Sequence, residues 1–193
     1  TRSVEMAMNH NVIVQVLTSF AENVIGSDWP GTLLVREEDI VEQKKITGIA
    51  FSRDDARVTL TGVPDRPGIA AAIFGPLAAA NINVDMIVQN VDEIGKVTDM
   101  TFTIPKADLD RTMTLLEKER DHLKYQELTA DKNVAKVSVV GVGMRSHAGV
   151  AQEMFRTLAE KNINILVIST SEIKISVLIA EEYTELAVRA LHA

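Results

Sequence analysis

Apolar residues recur along this chain in two rhythms, and the switch between them marks the elements. ARVTLTGV (Ala56–Val63) alternates with a period of two and predicts a strand. Ile69, Ile73 and Leu77 then share one face of a helix predicted over Pro67–Ala80, with Pro76 expected to kink it by removing an N–H. INVDMIVQ (82–89) predicts a second strand, and KVTDMTFTI (96–104) a third whose apolar positions Val97, Met100, Phe102 and Ile104 alternate imperfectly. A helix capped by Asp108 and running to about Arg120 follows, with a fourth strand in LKYQELT (123–129). The order is βαββαβ.

The second half repeats the first. KVSVVGV (136–142) aligns with RVTLTGV (57–63), and after a two-residue insertion Gly149 aligns with Gly68, Phe155 with Phe74, Leu158 with Leu77 and NINI (162–165) with NINV (81–84). A match through a whole strand–helix–strand indicates a duplicated α+β domain. The second copy continues with the strand-like SEIKISVLI and a helix from about Tyr183 to His192, then ends without a fourth strand. ITGIAF (46–51), which precedes the first copy, is the candidate to fill that place, so the two modules are expected to interlock. The first 45 residues differ: Val4, Ala7 and Met8 sit at helical spacing, NVIVQVLTSF (11–20) alternates like a strand, Thr32–Val35 is a short apolar run, and REEDIVEQKK is charged. This segment is too small to enclose its own core and reads as the tail of a neighbouring domain.

Composition narrows the classes. A formal charge of −7 without a basic run argues against a nucleic-acid partner, whose phosphates call for clustered Lys and Arg. With no cysteine there is no disulfide framework and no thiol nucleophile, which suits a cytoplasmic setting. No apolar run reaches the ~18–20 residues that span a bilayer, and TRSVEMAMNH lacks the order of a signal peptide. The start at Thr1 reads as a fragment or a processed subunit.

A strand that ends in a loop opening a helix presents free N–H groups and the positive end of a dipole, which favours a carboxylate or phosphate. Asp65 in VPDRPG can accept an α-ammonium, Pro67 presets the first turn and Gly68 lets a ligand approach the backbone, although Pro-Gly is also ordinary turn chemistry. The second copy keeps Gly149 but has MRSHA in front of it. Asp85, Gln89 and Asn90 lie at the ends of their strand, as ligand contacts or as solvated edge residues. His10, His122, His147 and His192 are scattered without metal spacing, GVGM (141–144) lacks the third glycine of a dinucleotide loop, and no phosphate-cradling loop occurs. No metal, cofactor or catalytic residue is expected.

GVPDRPGIAAAIFGPLAAANINVDMIVQN, VTDMTFT, KVSVVGVGMRSHAGVAQEMFRTLAEKNINI, ISTSEIKISVLI and LAVRALH together resemble the C-terminal regulatory region of bacterial aspartate kinase, built of two ACT domains. RSVEMAMNHNVIVQVLTSF followed by PGTL is similar to the end of the amino-acid kinase domain. The resemblance implies an α+β fold of tandem ferredoxin-like ACT domains, with antiparallel sheets and helices on one face. It divides the chain into a kinase-domain tail and linker (1–45), a strand completing the second ACT domain (46–51), a first ACT domain (52–131) and a second (132–193). It implies feedback control by lysine, threonine or both, a homodimer through the ACT domains, and partnership with a catalytic kinase subunit or domain, some members making this region as a separate small subunit. Because the ATP- and aspartate-binding motifs lie N-terminal to this region in the family, the chain alone is expected not to catalyse. Carried over, one effector site comprises Asp65, Arg66, Pro67, Gly68, Ile69, Ala70, Asn83, Val84, Asp85 and Gln89, with Thr101 nearby. A looser one comprises Met144, Arg145, Ser146, His147, Ala148, Gly149, Asn164, Ile165, Ser171 and Glu172. Asp85, Asp92, Glu93 and Glu172 are candidate acids for a lysine side chain. Two rival readings share the βαββαβ order: an RNA-binding module, disfavoured by 4% aromatic residues, and an acylphosphatase-like enzyme, disfavoured by Asp65 beside Arg66.

Overall fold

The computed structural model describes residues 2–18, 31–34, 46–91, 96–141 and 149–192. The chain forms two compact units, Thr1–Lys44 and Lys45–Ala193. In the first, helix α1 (Arg2–Asn9) is followed by strands β1 (Val14–Val16) and β2 (Thr32–Leu34), paired antiparallel with Val14 opposite Leu34. Of the strand expected over 11–20, the described residues 11–18 form only the three that β2 pairs, while 19 and 20 lie outside the described residues; Asn11 turns left-handed at φ 57° just before it. Helix α1 buries no residue.

The second unit holds two four-stranded antiparallel sheets. Its strands are β3 (Gly48–Ser52), β4 (Asp55–Pro64), β5 (Asp85–Val91), β6 (Val97–Pro105), β7 (Glu127–Asp131), β8 (Val134–Val140), β9 (Val167–Thr170) and β10 (Lys174–Ala180). Its helices are α2 (Ile69–Ala79), α3 (Leu109–Lys118), α4 (Arg120–Leu123), α5 (Val150–Glu160) and α6 (Thr184–His192). The first module has strand order β5-β6-β4-β7 and the second β3-β8-β10-β9. The second sheet therefore takes its edge strand from ahead of the first module, with Gly48 opposite Val140 and Ser52 opposite Lys136. Three residues later the chain enters β4, so one continuous segment serves both sheets.

Alternation explains the cores. Ala56, Val58 and Leu60 of β4 and Met100, Phe102 and Ile104 of β6 face the helices and are at most 1% exposed, packed against Ile73, Leu77 and Leu116. The imperfect pattern of β6 resolves because Thr98 takes the next inward position and donates its hydroxyl to the Asn90 carbonyl at 2.9 Å. On β4 the register shifts by one residue between Leu60 and Val63, where Gly62 adopts φ 63° and its N–H donates to Asp99 Oδ1 at 2.9 Å. This bulge turns Val63 inward, where strict alternation would have aimed Gly62. The second core repeats the plan with Val137, Val139, Val177 and Ile179 against Met154, Leu158 and Ala187.

Helix ends repeat too. After α2, Asn81 is left-handed at φ 57°, its N–H bonds the Ala78 carbonyl, and the Ile82 N–H bonds that of Leu77. After α5, Asn162, Ala159, Ile163 and Leu158 make the same bonds. This double closure satisfies the last carbonyls and buries the following isoleucine, which is the physical reason for the shared NIN. The helix expected from Pro67 starts at Ile69 and passes through Pro76 to Ala79. Asp108 stands at the start of α3 but makes no side-chain capping bond, because a 3-10 turn over Lys106–Asp108 leads in and leaves it at φ −95°, ψ 0°, outside the extended geometry a cap requires. The last strand of the first module begins at Glu127, later than Leu123, since Leu123 closes α4 and Lys124 turns left-handed. Among the described residues no helix is long and apolar enough to cross a membrane.

Candidate functional site

Two sheet ends and one seam hold the residues of interest. The loop after β4 is anchored where the Asp65 N–H donates to the Lys96 carbonyl at 3.1 Å; Asp65, Arg66, Pro67, Gly68 and Ala70 are exposed, and Ile69, the first residue of α2, is buried in the first module's core. Gly68 starts α2 at φ 89° and Gly149 starts α5 at φ 109°, and an added Cβ would meet nothing within 4 Å at either. Backbone conformation, not space, therefore selects glycine at both positions. Met144, Arg145, Ser146, His147 and Ala148 lie outside the described residues, as do Asp92 and Glu93.

Register separates groups that the sequence places together. Pro64 pairs with Val97 and Val91 with Thr98, but Asp85 pairs with Thr103, six residues further along β6. At ~3.3 Å per residue, Asp85 stands about 20 Å from the loop, at the opposite end of the sheet. Asn83 and Val84 precede it at that same end, whereas Gln89 sits nearer the loop, opposite Met100. In a single chain the loop 65–70 and Asn83–Asp85 do not converge.

The second module supplies the neighbours instead. A groove of about 350 Å³ runs between β5 and β9, lined by Val88, Asn90 and Thr101 of the first module and Ile165, Leu166, Val167 and Ile168 of the second. Its size suits a small ligand. Thr101 and Ile165 thus share one groove although they were expected in different sites; Asn164 is exposed just ahead of it. A second cavity of about 380 Å³, lined by residues including Gly62, Asn90, Thr98, Asp99 and Gln126, adjoins it through Asn90. Ser171 holds the β9–β10 hairpin, its N–H donating to the Lys174 carbonyl at 2.8 Å, with Glu172 exposed at the tip.

At the other end Asp85 meets Lys136. The Lys136 ammonium donates to Asp85 Oδ2 at 2.9 Å and to Asp55 Oδ1 at 3.3 Å, linking β8 to β5 and β4, the two strands of its neighbour's first βαβ arm. The hydrogen bond from Lys136, outweighing partial burial, holds the Asp85 carboxyl below its usual range, helped by the Met86 N–H. Burial works to lower the Lys136 pKa, but the bonds and charges of Asp85 and Asp55 outweigh it and raise it. Next to Asp85 the register slips again, and Met86 takes φ 47°, a conformation bulky residues rarely adopt. The bulge aims Met86 into a small apolar cluster with Val134, Val167 and Leu178 of the second module. Lys136 was missed in the sequence because its partners are 51 and 81 residues away.

Comparison with known proteins decides the family. ACT domain families match residues 137–193 and 57–121. An aspartate kinase of Stutzerimonas stutzeri is 53% identical over 192 residues, which are 99% of this chain and 45% of the relative. A chain in a crystal structure of aspartokinase alpha and beta subunits is 53% identical, superposes with a TM-score of 0.72, and is matched over 96% of its length and 76% of this chain. The chain belongs to the aspartokinase family. The ligand-free regulatory subunit of aspartate kinase from Thermus thermophilus is 42% identical with a TM-score of 0.73, covering 77% of this chain and 97% of that one. The tandem ACT fold of aspartokinase regulatory regions is therefore the fold described above, and the chain spans 45–46% of the length of the curated aspartokinases it matches.

Proposed function

We propose that this chain is the amino-acid-sensing part of an aspartokinase, binding lysine, threonine or both and thereby restraining the phosphorylation of aspartate. The observation that carries the reading is the groove between β5 and β9, which neither ACT module builds alone. A ligand there touches both modules, so its binding energy depends on how they fit, which is the requirement for allosteric control. The loop 65–70 offers a helix start for an α-carboxylate with Asp65 for an α-ammonium. Residues 1–45 belong, on this reading, with the kinase domain; the exposed Met6, Val12, Ile13 and Leu33 supply apolar surface for it to cover. Strand 46–51 belongs with the second ACT domain, 132–193, and 52–131 form the first. The unpaired outer edges of β5 and β9 suit a homodimer formed sheet to sheet, in the cytoplasm.

Thermal melting of the purified chain tests the reading. A ligand that binds only the folded state at one hundred times its dissociation constant stabilises by about 2.7 kcal/mol. Threonine, lysine or the pair should raise the midpoint by several degrees and glutamate should not. Asp65→Ala, at an exposed position, should remove that response while leaving the ligand-free midpoint in place. No shift with any of these amino acids at millimolar concentration would overturn the assignment.

A further inference from the structure

The seam between the modules has two matching halves that are built differently. By register, Asp55 and Thr103 of the first sheet correspond to Val134 and Leu178 of the second: Asp55 pairs with Pro105 and Arg57 with Thr103, as Val134 pairs with Ala180 and Lys136 with Leu178. Val134 and Leu178 are fully buried and pack on Met86 of the first module, so that half is apolar. Asp55 and Thr103 are buried too, 9% and 0% exposed, and Asp55 meets Lys136 of the second module. Asp55 Oδ2 and Thr103 Oγ1 nevertheless make no hydrogen bond to any protein group. Buried polar atoms of this kind are costly, and two together call for an explanation. They lie on one face of the sheet, since Ala56, Phe102 and Ile104 take the other toward the helices. They are diagonal neighbours across β4 and β6, ~7–8 Å apart at Cα, a gap that two short side chains bridge through a shared water. Lys136 bonds Asp55 and also Asp85, the residue opposite Thr103 on β5, so its ammonium spans the same spot.

We infer that one water molecule is held in the polar half of the seam, donating to Asp55 Oδ2 and accepting from Thr103 and Lys136. The donors and acceptors match. An ammonium has three protons, of which Asp55 Oδ1 and Asp85 Oδ2 take two. The third proton and the Thr103 hydroxyl fill the two lone pairs of the water, and one O–H of the water meets the open carboxylate oxygen. Three bonds are the usual number for an internal water, and a polar lining is what separates a filled site from a dry one. A metal cation is the wrong occupant, because the Lys136 ammonium already stands beside both carboxylates and would repel it. Through the water Lys136 also reaches β6, so the polar half grips both inner strands of the first sheet, whereas the matching half relies on apolar packing.

A high-resolution crystal structure of the whole chain, grown once with sodium and once with rubidium salts, tests this directly. A density peak within hydrogen-bonding distance of Thr103 Oγ1, Asp55 Oδ2 and Lys136 Nζ is expected, the same in both crystals and without rubidium's anomalous signal. In solution the Thr103 methyl should show a nuclear Overhauser effect to water of the sign that marks a long-resident molecule. Thr103→Val keeps the shape and removes the hydroxyl; it should raise the unfolding equilibrium constant in urea about tenfold, since the water loses a partner and Asp55 its fixed donor. The inference is overturned if Thr103 bonds Asp55 directly, if rubidium occupies the site, if no peak is found, or if Thr103→Val is as stable as the parent or more so. The crystal and Overhauser measurements need no variant, so they decide the matter even where Thr103→Val does not fold.

Discussion

The two ACT modules carry different charges on the sheet face that points away from their helices. In the first, Thr59 on β4 bonds Thr101 on β6 at 3.1 Å; in the second, Ser138 on β8 bonds Ser176 on β10 at 2.8 Å, at the equivalent rung. Two residues earlier on each central strand stands a cation, Arg57 or Lys136. Arg57 faces Asp131 on the neighbouring edge strand and pairs with it at 3.7 Å. Lys136 faces Ser52, which offers no charge, and reaches across the seam to Asp55 and Asp85. Asp85 and Met86 in turn correspond to Leu166 and Val167 of the second copy. Burial keeps the two folds alike, while a single acid on an edge strand decides whether a central cation stays within its module or ties it to the other.

The largest way to break this equivalence is in the cores. Leu77 and Leu158 occupy matching positions and are both fully buried. Each Leu→Ala change should cost about 2–5 kcal/mol. In urea, either substitution should move one common transition, because β3 runs directly into β4 and the seam joins the sheets. Two separated transitions would show that the modules fold independently.

Glycine gives the next effect. Gly68→Ala and Gly149→Ala should each lose about 1–2 kcal/mol, equally in both modules, from backbone conformation alone. Gly62→Ala should lose more, since its Cβ would lie 2.3 Å from the Gln126 side chain. Adding Gln126→Ala should recover the excess and not the backbone part, a difference that a double-mutant cycle reads directly.

The smallest effect is electrostatic. Asp85 has a lowered folded pKa, so its contribution is present above its unfolded value of about 3.9 and is lost as pH falls through the folded one. Lys136 has a raised folded pKa, so its contribution is present below about 10.4 and is lost as pH rises through the folded one. The stability difference between the parent and Lys136→Met should be flat from about pH 5 to 9 and shrink beyond both ends. Arg57→Met, at the equivalent position, should leave seam contacts unchanged by hydrogen exchange; loss of protection at Val134 and Leu178 in that variant would deny the asymmetry.

Much of the fold was legible because its signals are local. The period of two in ARVTLTGV, the helical face of Ile69, Ile73 and Leu77, and the repeated NIN each reflect burial or capping within a few residues. The bulges were less so. Gly62 marks one of them, but nothing in the sequence places Met86 in a left-handed conformation, which is held by a neighbouring carboxylate and by packing on the other module. Asp108 had the right residue type for a cap and the wrong approach of the backbone.

By itself the sequence determined the duplicated βαββαβ plan, the faces that enter each core, the family, and the glycines and asparagines that the turns require, because covalent geometry and apolar burial impose short periods. Only the tertiary structure decided that Asp85 stands about 20 Å from the loop it was grouped with, that Thr101 and Ile165 share a groove, and that Lys136 is held by two carboxylates of the other module. Pairing between charges and the meeting of sheet faces depend on register and on contacts between residues far apart in the chain, and no local pattern carries that information.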